Sequence, residues 1–180
     1  RELDFWLTGN MNIPPADVFW KRLVVYRATG TLSGGIFSPR GSFRSWNSHY
    51  VSAVNGGDAA VNADPTAIGL NERFVIVDSN GGSLVSGDAV HLQSRSGKFL
   101  SAVGGGGSNL TANQTGTGTF ETFTIFKQNG TGTIANGDSV AFRSSGGYYI
   151  VAEPTGTSGT PLNCNRTAAG PWETFVFVAN

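Results

Sequence analysis

The amino-acid sequence predicts an all-β fold built from three copies of a unit of about 50 residues. The first supporting observation is the composition: only 13% of the 180 residues are charged and 26 are glycine, as is typical of turn-rich β proteins. The second is an internal repeat. The segments YVSAV, FLSAV and YIVAE align when Tyr50, Phe99 and Tyr149 share one column. Together these observations favour short strands over a helical enzyme.

Four further columns keep the same register in every copy. An apolar residue stands seven positions before the aromatic residue, and another apolar residue opens a later segment of the type Leu-x-Ala-Asn. Each copy then has a glutamate that is followed two positions later by phenylalanine. The columns are Phe43, Leu92 and Phe142; Val61, Leu110 and Leu162; Glu72, Glu121 and Glu173; and Phe74, Phe123 and Phe175. Two extra residues of the third copy fall inside the loop PTGTSGTP, so the length change spares the strands.

The predicted elements follow in order along residues 37–180, with copies at about 36–85, 86–135 and 136–180. Strands of the first copy are expected around IFSPRGSFRSW, HYVSAVN, AAVNAD and ERFVIVD. The segments SGDAVHL and NGDSVAF open the second and third copies with a Gly-Asp turn. Strands of about five residues separated by such turns are typical of a barrel or a sandwich.

Three copies of four strands fit a β-trefoil, in which six strands close a barrel and six form hairpins that cap one end. One copy cannot bury its apolar face alone, whereas three copies together can. We expect a layered core of Tyr50, Phe99 and Tyr149, of Phe74, Phe123 and Phe175, and of Val61, Leu110 and Leu162.

Residues 1–36 lie outside the repeats and form an aromatic-rich N-terminal extension that contains Trp6 and Trp20. The run from Val18 to Tyr26 is rich in β-branched and aromatic residues, which favours a strand. One interpretation is that the extension packs against the repeat domain as additional strands. The other is that it pairs with another subunit, as an exposed strand edge can, and so forms a homo-oligomer.

The charge balance argues against several classes of partner. There are 12 basic and 12 acidic residues, so the basic excess needed to displace counterions from DNA or RNA is missing. The same balance gives no indication of a membrane surface, and the sequence contains no apolar run of about 18 residues that would cross one. The sequence therefore predicts neither nucleic-acid binding nor membrane insertion.

Catalytic motifs are also missing. His49 and His91 are the only histidines and occupy non-equivalent repeat positions, and no Cys/His group has zinc-site spacing. Glycoside hydrolysis needs two carboxyl groups about 5–10 Å apart, but glutamates related by threefold symmetry would lie much further apart. We expect no catalytic residues, no metal, no cofactor and no enzymatic activity.

The cysteine count and the content of small polar residues concern the cellular compartment of the protein. Cys164 is the single cysteine, so no internal disulfide is possible, and it aligns with alanines at a small core position. Low lysine content with many Thr, Ser, Asn and Gly residues favours a secreted, extracellular protein. Four sequons of the type Asn-X-Ser/Thr matter only if the source glycosylates them; they begin at Asn109, Asn113, Asn129 and Asn165.

The repeat pattern resembles fascin-like β-trefoil repeats, most closely in SGKFLSAV and GPWETFVFV, over about residues 37–180. This resemblance implies the trefoil fold. It does not fix the function, because trefoils support many activities. Single trefoils similar to this one are often secreted carbohydrate-binding modules or lectins. The Gln-x-Trp motif of ricin-type lectins is absent, so their galactose-site residues are not transferred.

The resemblance also indicates candidate site residues. In glucan-binding trefoil modules that this chain resembles, a Trp-Glu pair of each repeat holds the sugar. Here the third copy has the full pair, Trp172 and Glu173, while the second has Phe120 and Glu121 and the first has Asn71 and Glu72. An aromatic face packs on sugar C–H groups and a carboxylate accepts hydrogen bonds from hydroxyls. The alternative is that the glutamates cap turns or pair with arginine within the scaffold.

Trp46 and Tyr148, in the turn before the column aromatic, could stack on a sugar or cover the barrel end. The sequence thus predicts a non-catalytic protein that binds polysaccharide or cell-surface glycan through up to three shallow, related sites. The alternative is a structural protein that forms an extracellular oligomer or filament through residues 1–36. Actin bundling is disfavoured, because one trefoil lacks both the multiple copies and the basic surface that crosslinking needs.

Overall fold

The computed structural model describes residues 38–153 and 161–180, and within these ranges the chain forms thirteen strands and four short 3₁₀ turns. None of the described residues belongs to a helix that is long and apolar enough to span a membrane. The predicted strand at Val18–Tyr26, and with it the prediction that residues 1–36 join subunits, lies outside the described residues. The division into an extension and a repeat domain therefore stays a prediction.

Each copy contributes four strand positions, and the third position of the second copy is split into two short strands. In the first copy the strands are β1 (Arg40–Arg44), β2 (Ser52–Ala53), β3 (Val61–Asn62) and β4 (Phe74–Asp78). In the second they are β5 (Ala89–Gln93), β6 (Phe99–Ser101), β7 (Ser108–Asn109), β8 (Thr111–Gln114) and β9 (Phe123–Lys127). In the third they are β10 (Ser139–Ser144), β11 (Tyr149–Val151), β12 (Asn163–Arg166) and β13 (Phe175–Ala179).

The first and last strands of the three copies close a six-stranded antiparallel barrel. Strand β1 pairs with β4, β4 with β5, β5 with β9, β9 with β10, and β10 with β13. Strand β13 pairs back with β1, where Phe177 lies opposite Phe43. The inner strands form the hairpins β2–β3, β6–β8 and β11–β12. The all-β trefoil predicted from the sequence is confirmed.

The core contains most of the predicted columns. The phenylalanines that follow the glutamates are buried, and so are the apolar residues of the first and third strands. They are Phe74, Phe123 and Phe175; Phe43, Leu92 and Phe142; and Val61, Leu110 and Leu162. The ring of Phe43 contacts that of Phe142 edge-on, with centroids 4.9 Å apart, so residues of different copies meet in the core. Cys164 is buried in the same cluster, as predicted.

The prediction that the aromatic column forms a core layer is wrong. Tyr50, Phe99 and Tyr149 are only half-buried, and the residues that follow them take the core positions instead: Val51, Leu100 and Ile150. Strand pairing gives the reason. The column residues lie opposite Arg44, Gln93 and Arg143, which face outward, and side chains directly opposite each other share one face of the sheet.

Equivalent hydrogen bonds recur in the three copies and fix where the candidate site residues lie. The backbone N–H of an alanine after the second strand donates to the carbonyl of the residue that precedes the glutamate. The pairs are Ala53 with Asn71 (3.0 Å), Ala102 with Phe120 (2.9 Å), and Ala152 with Trp172 (2.9 Å). Each candidate turn is therefore held against the hairpin of its own copy.

Candidate functional site

The glutamates of the repeat lie at tight turns that lead into the last strand of each copy. In the second and third copies these are 3₁₀ turns, Thr119–Glu121 and Pro171–Glu173. All three glutamates are buried. One carboxylate oxygen of Glu72 accepts the N–H of Gly69 at 2.8 Å, and one of Glu173 accepts the N–H of Gly170 at 2.7 Å. The turn-capping role that the sequence left open is therefore present at Glu72 and Glu173.

The residue before each glutamate is exposed in the second and third copies, and here the three copies differ. The side chain of Trp172 is 42% exposed and that of Phe120 is 44% exposed, although both are large and apolar. Asn71 holds the equivalent place in the first copy and is half-buried. The second and third copies thus present an aromatic ring above a buried carboxylate, whereas the first copy does not.

The third copy adds a cluster of charged and amide groups beside Trp172. One terminal nitrogen of Arg166 binds both carboxylate oxygens of Glu153, at 2.9 and 2.7 Å, and the other donates to Asn165 Oδ1 at 2.7 Å. Asn163 Nδ2 also donates to Glu153, at 3.1 Å. Arg166 Nε lies 3.8 Å from Glu173 Oε1, so the guanidinium bridges two carboxylates.

Arg166 and Glu173 also line an open cleft of about 470 Å³ that is formed by residues 166–173. Trp172 and Pro171 give it an apolar wall, while Arg166 and Glu173 supply polar groups. The Arg166 side chain is 36% exposed, so part of it is within reach of solvent and of a ligand. A shallow cleft with one aromatic wall and a few fixed polar groups is a common form of ligand site.

Trp46 lies next to this cleft, although it belongs to the first copy. It is 45% exposed, and its indole Nε1 donates to the carbonyl of Ala152 at 2.9 Å. The same Ala152 binds the carbonyl of Trp172 through its N–H. A second cleft, of about 430 Å³, is lined by residues 44–46 and 48 on one side and by Pro171, Thr174 and Val176 on the other. Pro171 lines both clefts, so they are neighbours at the seam between the first and third copies.

The other predicted site residues are not part of this seam. Phe120 and Glu121 lie in the turn of the second copy, where the Glu121 carbonyl accepts from His91 Nδ1 at 3.1 Å. Glu72 caps its own turn in the first copy. Tyr148 is half-buried and packs against the core, beside the backbone of Gly106 in the second copy. The structure thus brings together Trp46, Trp172 and Glu173, and it separates Phe120, Glu121, Glu72 and Tyr148 from them.

Sequence reasoning missed Arg166 and Glu153. The sequence signal for Arg166 was a difference between the copies, because the equivalent residues are Pro65 in the first copy and Gln114 in the second. Glu153 borders the loop that is longer in the third copy, and the other copies have no equivalent glutamate that would indicate a role for it.

Among the described residues, two ionisable groups have shifted pKa values. Burial raises the pKa of the Cys164 thiol, whose Sγ lies 3.4 Å from the carbonyl of Tyr148, so this cysteine is a core residue rather than a nucleophile. A hydrogen bond from Lys127 lowers the pKa of Asp138. In the part of the chain that the structure describes, no three His, Cys, Asp or Glu residues are grouped as metal ligands.

Comparison with known proteins supports the fold. No protein-family model and no curated protein matches the chain. Among solved structures, it is similar to the designed threefold-symmetric protein ThreeFoil, with a TM-score of 0.60, 17% identity, and coverage of 77% of this chain and 97% of that one. It is also similar to the ricin B-like lectin of Macrolepiota procera in complex with lactose, with a TM-score of 0.60, 16% identity, and coverage of 83% and 100%.

The SDF2-like protein from Arabidopsis thaliana has a TM-score of 0.63 and 11% identity, with 79% of this chain and 93% of that chain covered. At such low identities the comparisons establish the fold and nothing finer. The chain is a β-trefoil. Its specific resemblance to fascin-like repeats stays a prediction.

Proposed function

We propose that this protein is a non-catalytic carbohydrate-binding protein whose main site is the cleft at Trp172. The observation that carries the proposal is an exposed indole beside a hydrogen-bonded set of carboxylate, guanidinium and amide groups in the third copy, of which the Glu173 carboxylate is buried. A solved trefoil of similar fold, the ricin B-like lectin, was crystallised with lactose, which adds support at the level of the fold.

The chemistry of the cleft matches a sugar. The C–H face of a pyranose ring packs on an exposed indole, and Trp172 offers such a surface at low entropic cost. Sugar hydroxyls both donate and accept hydrogen bonds. Arg166 is a partly exposed donor, and Glu173 Oε1 is an acceptor beside it. These groups are already oriented by Glu153, Asn165 and Gly170, so binding does not have to immobilise them.

The same contacts argue against hydrolysis. Both oxygens of Glu153 are bound by Arg166, and one oxygen of Glu173 is bound by the Gly170 N–H. Glycoside hydrolysis needs a pair of carboxyl groups that flank the scissile bond, whereas these two carboxylates are engaged by partners within the protein. We therefore propose binding without catalysis.

The neighbouring cleft at Trp46 suggests a ligand larger than one sugar unit. Two exposed tryptophans lie on either side of Ala152 and Pro171, and both clefts are open to solvent. A polysaccharide or a branched cell-surface glycan would contact both rings. Phe120 and Glu121 of the second copy are proposed as a weaker additional site, because they lack the arginine cluster. Weak sites on one rigid body gain strength on a polymer, because later contacts become intramolecular.

The test is binding of the full chain to immobilised polysaccharides and to a glycan array. We expect affinities for short sugars on the order of 0.1–1 mM, and tighter retention on polymers. Trp172→Ala should weaken binding roughly tenfold, because it removes the stacking surface. Phe120→Ala is the matched control, since that ring is equally exposed in the equivalent turn, and it should weaken binding by less than about threefold.

The proposal fails if the array and the polysaccharides both show no binding. It also fails if Trp172→Ala binds as well as the unmodified protein. Secretion, which the sequence predicts from its composition, is part of the proposal because extracellular glycans are the ligands that such a surface would meet.

A further inference from the structure

Two equivalent hairpins of the barrel differ in one charge, and the difference points to a cation site. Strands β4 and β5 form the first hairpin, where Asp78 lies opposite Val90. Strands β9 and β10 form the second, where Lys127 lies opposite Val140 in the same register. A carboxylate in one copy therefore stands where an ammonium stands in the next.

In the second hairpin the ammonium is held by oxygen atoms. Lys127 Nζ lies 2.8 Å from Asp138 Oδ2 and 3.2 Å from the carbonyl of Thr133. Asp138 Oδ2 also accepts the N–H of Ala135 at 2.7 Å. This arrangement is a small oxygen-lined position that contains one positive charge.

The first hairpin repeats the acceptors without the ammonium. Asp88 is equivalent to Asp138, because its Oδ2 accepts the N–H of Val85 at 2.6 Å. Ser83 is equivalent to Thr133, because each precedes a buried apolar residue, Leu84 or Ile134. No lysine or arginine forms an ion pair with Asp78 or Asp88 among residues 38–153 and 161–180.

Asp78 and Asp88 are linked through Asn80, and both are buried. Asp78 Oδ1 accepts the backbone N–H of Asn80 at 3.3 Å, and Asn80 Nδ2 donates to Asp88 Oδ1 at 3.3 Å. Asp78 is 7% exposed and Asp88 is 6% exposed. The second oxygen of Asp78 is buried and has no hydrogen-bond partner among residues 38–153 and 161–180. It faces the same side of the sheet as Val90 and Asp88, since these residues alternate with outward-facing ones.

A buried carboxylate oxygen without a partner, next to a second carboxylate, is costly unless a positive charge compensates it. Hard cations are bound by carboxylates together with backbone and amide oxygens, and Ca²⁺ tolerates irregular sets that water molecules complete. We propose that Asp78 and Asp88, with the carbonyl of Ser83 and water, bind a Ca²⁺ ion at the position equivalent to the Lys127 ammonium. The ion would join the ends of β4 and β5, and it is independent of the proposed glycan site.

The test is thermal unfolding of the full chain at constant ionic strength, in EDTA and in CaCl₂ from about 0.1 to 10 mM, which extends above the Kd of about 0.1–1 mM typical of extracellular calcium modules. We expect the Tm to rise by about 3–8 °C at the highest concentration, with a smaller rise in MgCl₂. Isothermal titration calorimetry with CaCl₂ should give one site per chain.

Variants locate the effect. Asp78→Lys copies the arrangement of the next hairpin, so it should lose the calcium response and melt in EDTA at or above the temperature of the unmodified protein. Asp78→Asn, which changes the shape less, should also lose the response. Lys127→Met is the control: it removes the other ion pair and should keep the full calcium response.

The inference is overturned if neither calorimetry nor thermal unfolding detects Ca²⁺. It is equally overturned if Asp78→Asn keeps the calcium response, because the ion would then bind elsewhere.

Discussion

Replacing Glu173 by alanine separates the two roles that this glutamate is assigned, namely capping a turn and contacting a sugar. Its carboxylate accepts the Gly170 N–H at 2.7 Å and lies beside the cleft. Glu72 accepts the Gly69 N–H at 2.8 Å in the same way, but Asn71 rather than a tryptophan precedes it. Glu72→Ala is therefore the matched control for the structural part of the effect.

The magnitude follows from burial. Removing a buried acceptor leaves a backbone N–H unsatisfied, which costs about 1–3 kcal/mol. Glu173 also lies 3.8 Å from Arg166, but that side chain is 36% exposed, so solvent screens the pair and its loss adds only about 0.5 kcal/mol. Both variants should thus lose about 1–3 kcal/mol in the free energy of unfolding, and they should differ by less than about 1 kcal/mol.

Urea unfolding followed by tryptophan fluorescence measures the loss of stability, and retention on an immobilised polysaccharide measures the loss of sugar binding. We expect both variants to be destabilised, with glycan binding reduced roughly tenfold only in Glu173→Ala. The capping argument is refuted if Glu72→Ala is as stable as the unmodified protein. The sugar contact is refuted if the two variants retain the polysaccharide equally well.

Three further predictions concern the core and its charges. Leu100→Ala should lower the free energy of unfolding, measured in urea, by about 2–5 kcal/mol. Phe99→Ala should lower it clearly less, because Leu100 is fully buried whereas Phe99 is half-buried. The reverse order would contradict the placement of Leu100 in the core. Lys127 lowers the pKa of Asp138, so the stability that this carboxylate contributes is present above its ordinary value of 3.8 and is lost as the pH falls through the lowered folded-state value. Asp138→Asn should therefore flatten the acid side of a Tm–pH curve, and an unchanged curve would count against the ion pair. Cys164 is buried with a raised pKa, so a thiol reagent should label it at least about tenfold faster in urea than in buffer; rapid labelling of the native protein would be inconsistent with this packing.

Much of the fold could be predicted from the sequence because the repeat presents the same pattern three times. Phe74, Phe123 and Phe175 are buried as expected, and the six barrel strands follow from the spacing of the columns. The error at Tyr50, Phe99 and Tyr149 has a simple origin. Successive residues of a strand face opposite sides, so alignment identifies the strand without deciding which of two adjacent apolar columns points inward.

The candidate site was harder to predict because it depends on contacts between distant parts of the chain. The exposed Trp172 follows from its own repeat position, but its neighbour Trp46 reaches Ala152, which is 106 residues away in sequence. The pairing of Arg166 with Glu153 depends on the third copy alone, so the repeat contains no second instance of it. Burial of the glutamates was left open as well, since a repeated residue can be structural or functional.

The pairing of the first barrel strand with the last one has a kinetic consequence. Asn180 Nδ2 donates to Ser42 Oγ at 2.8 Å across a separation of 138 residues. A contact between residues so far apart costs loop-closure entropy before it contributes any stabilisation, and chains rich in such contacts fold slowly. During synthesis, one edge of β1 stays unpaired until β13 has left the ribosome. Neighbouring unfinished chains can pair with that edge, so the interval before closure is when this protein is most vulnerable to misassembly.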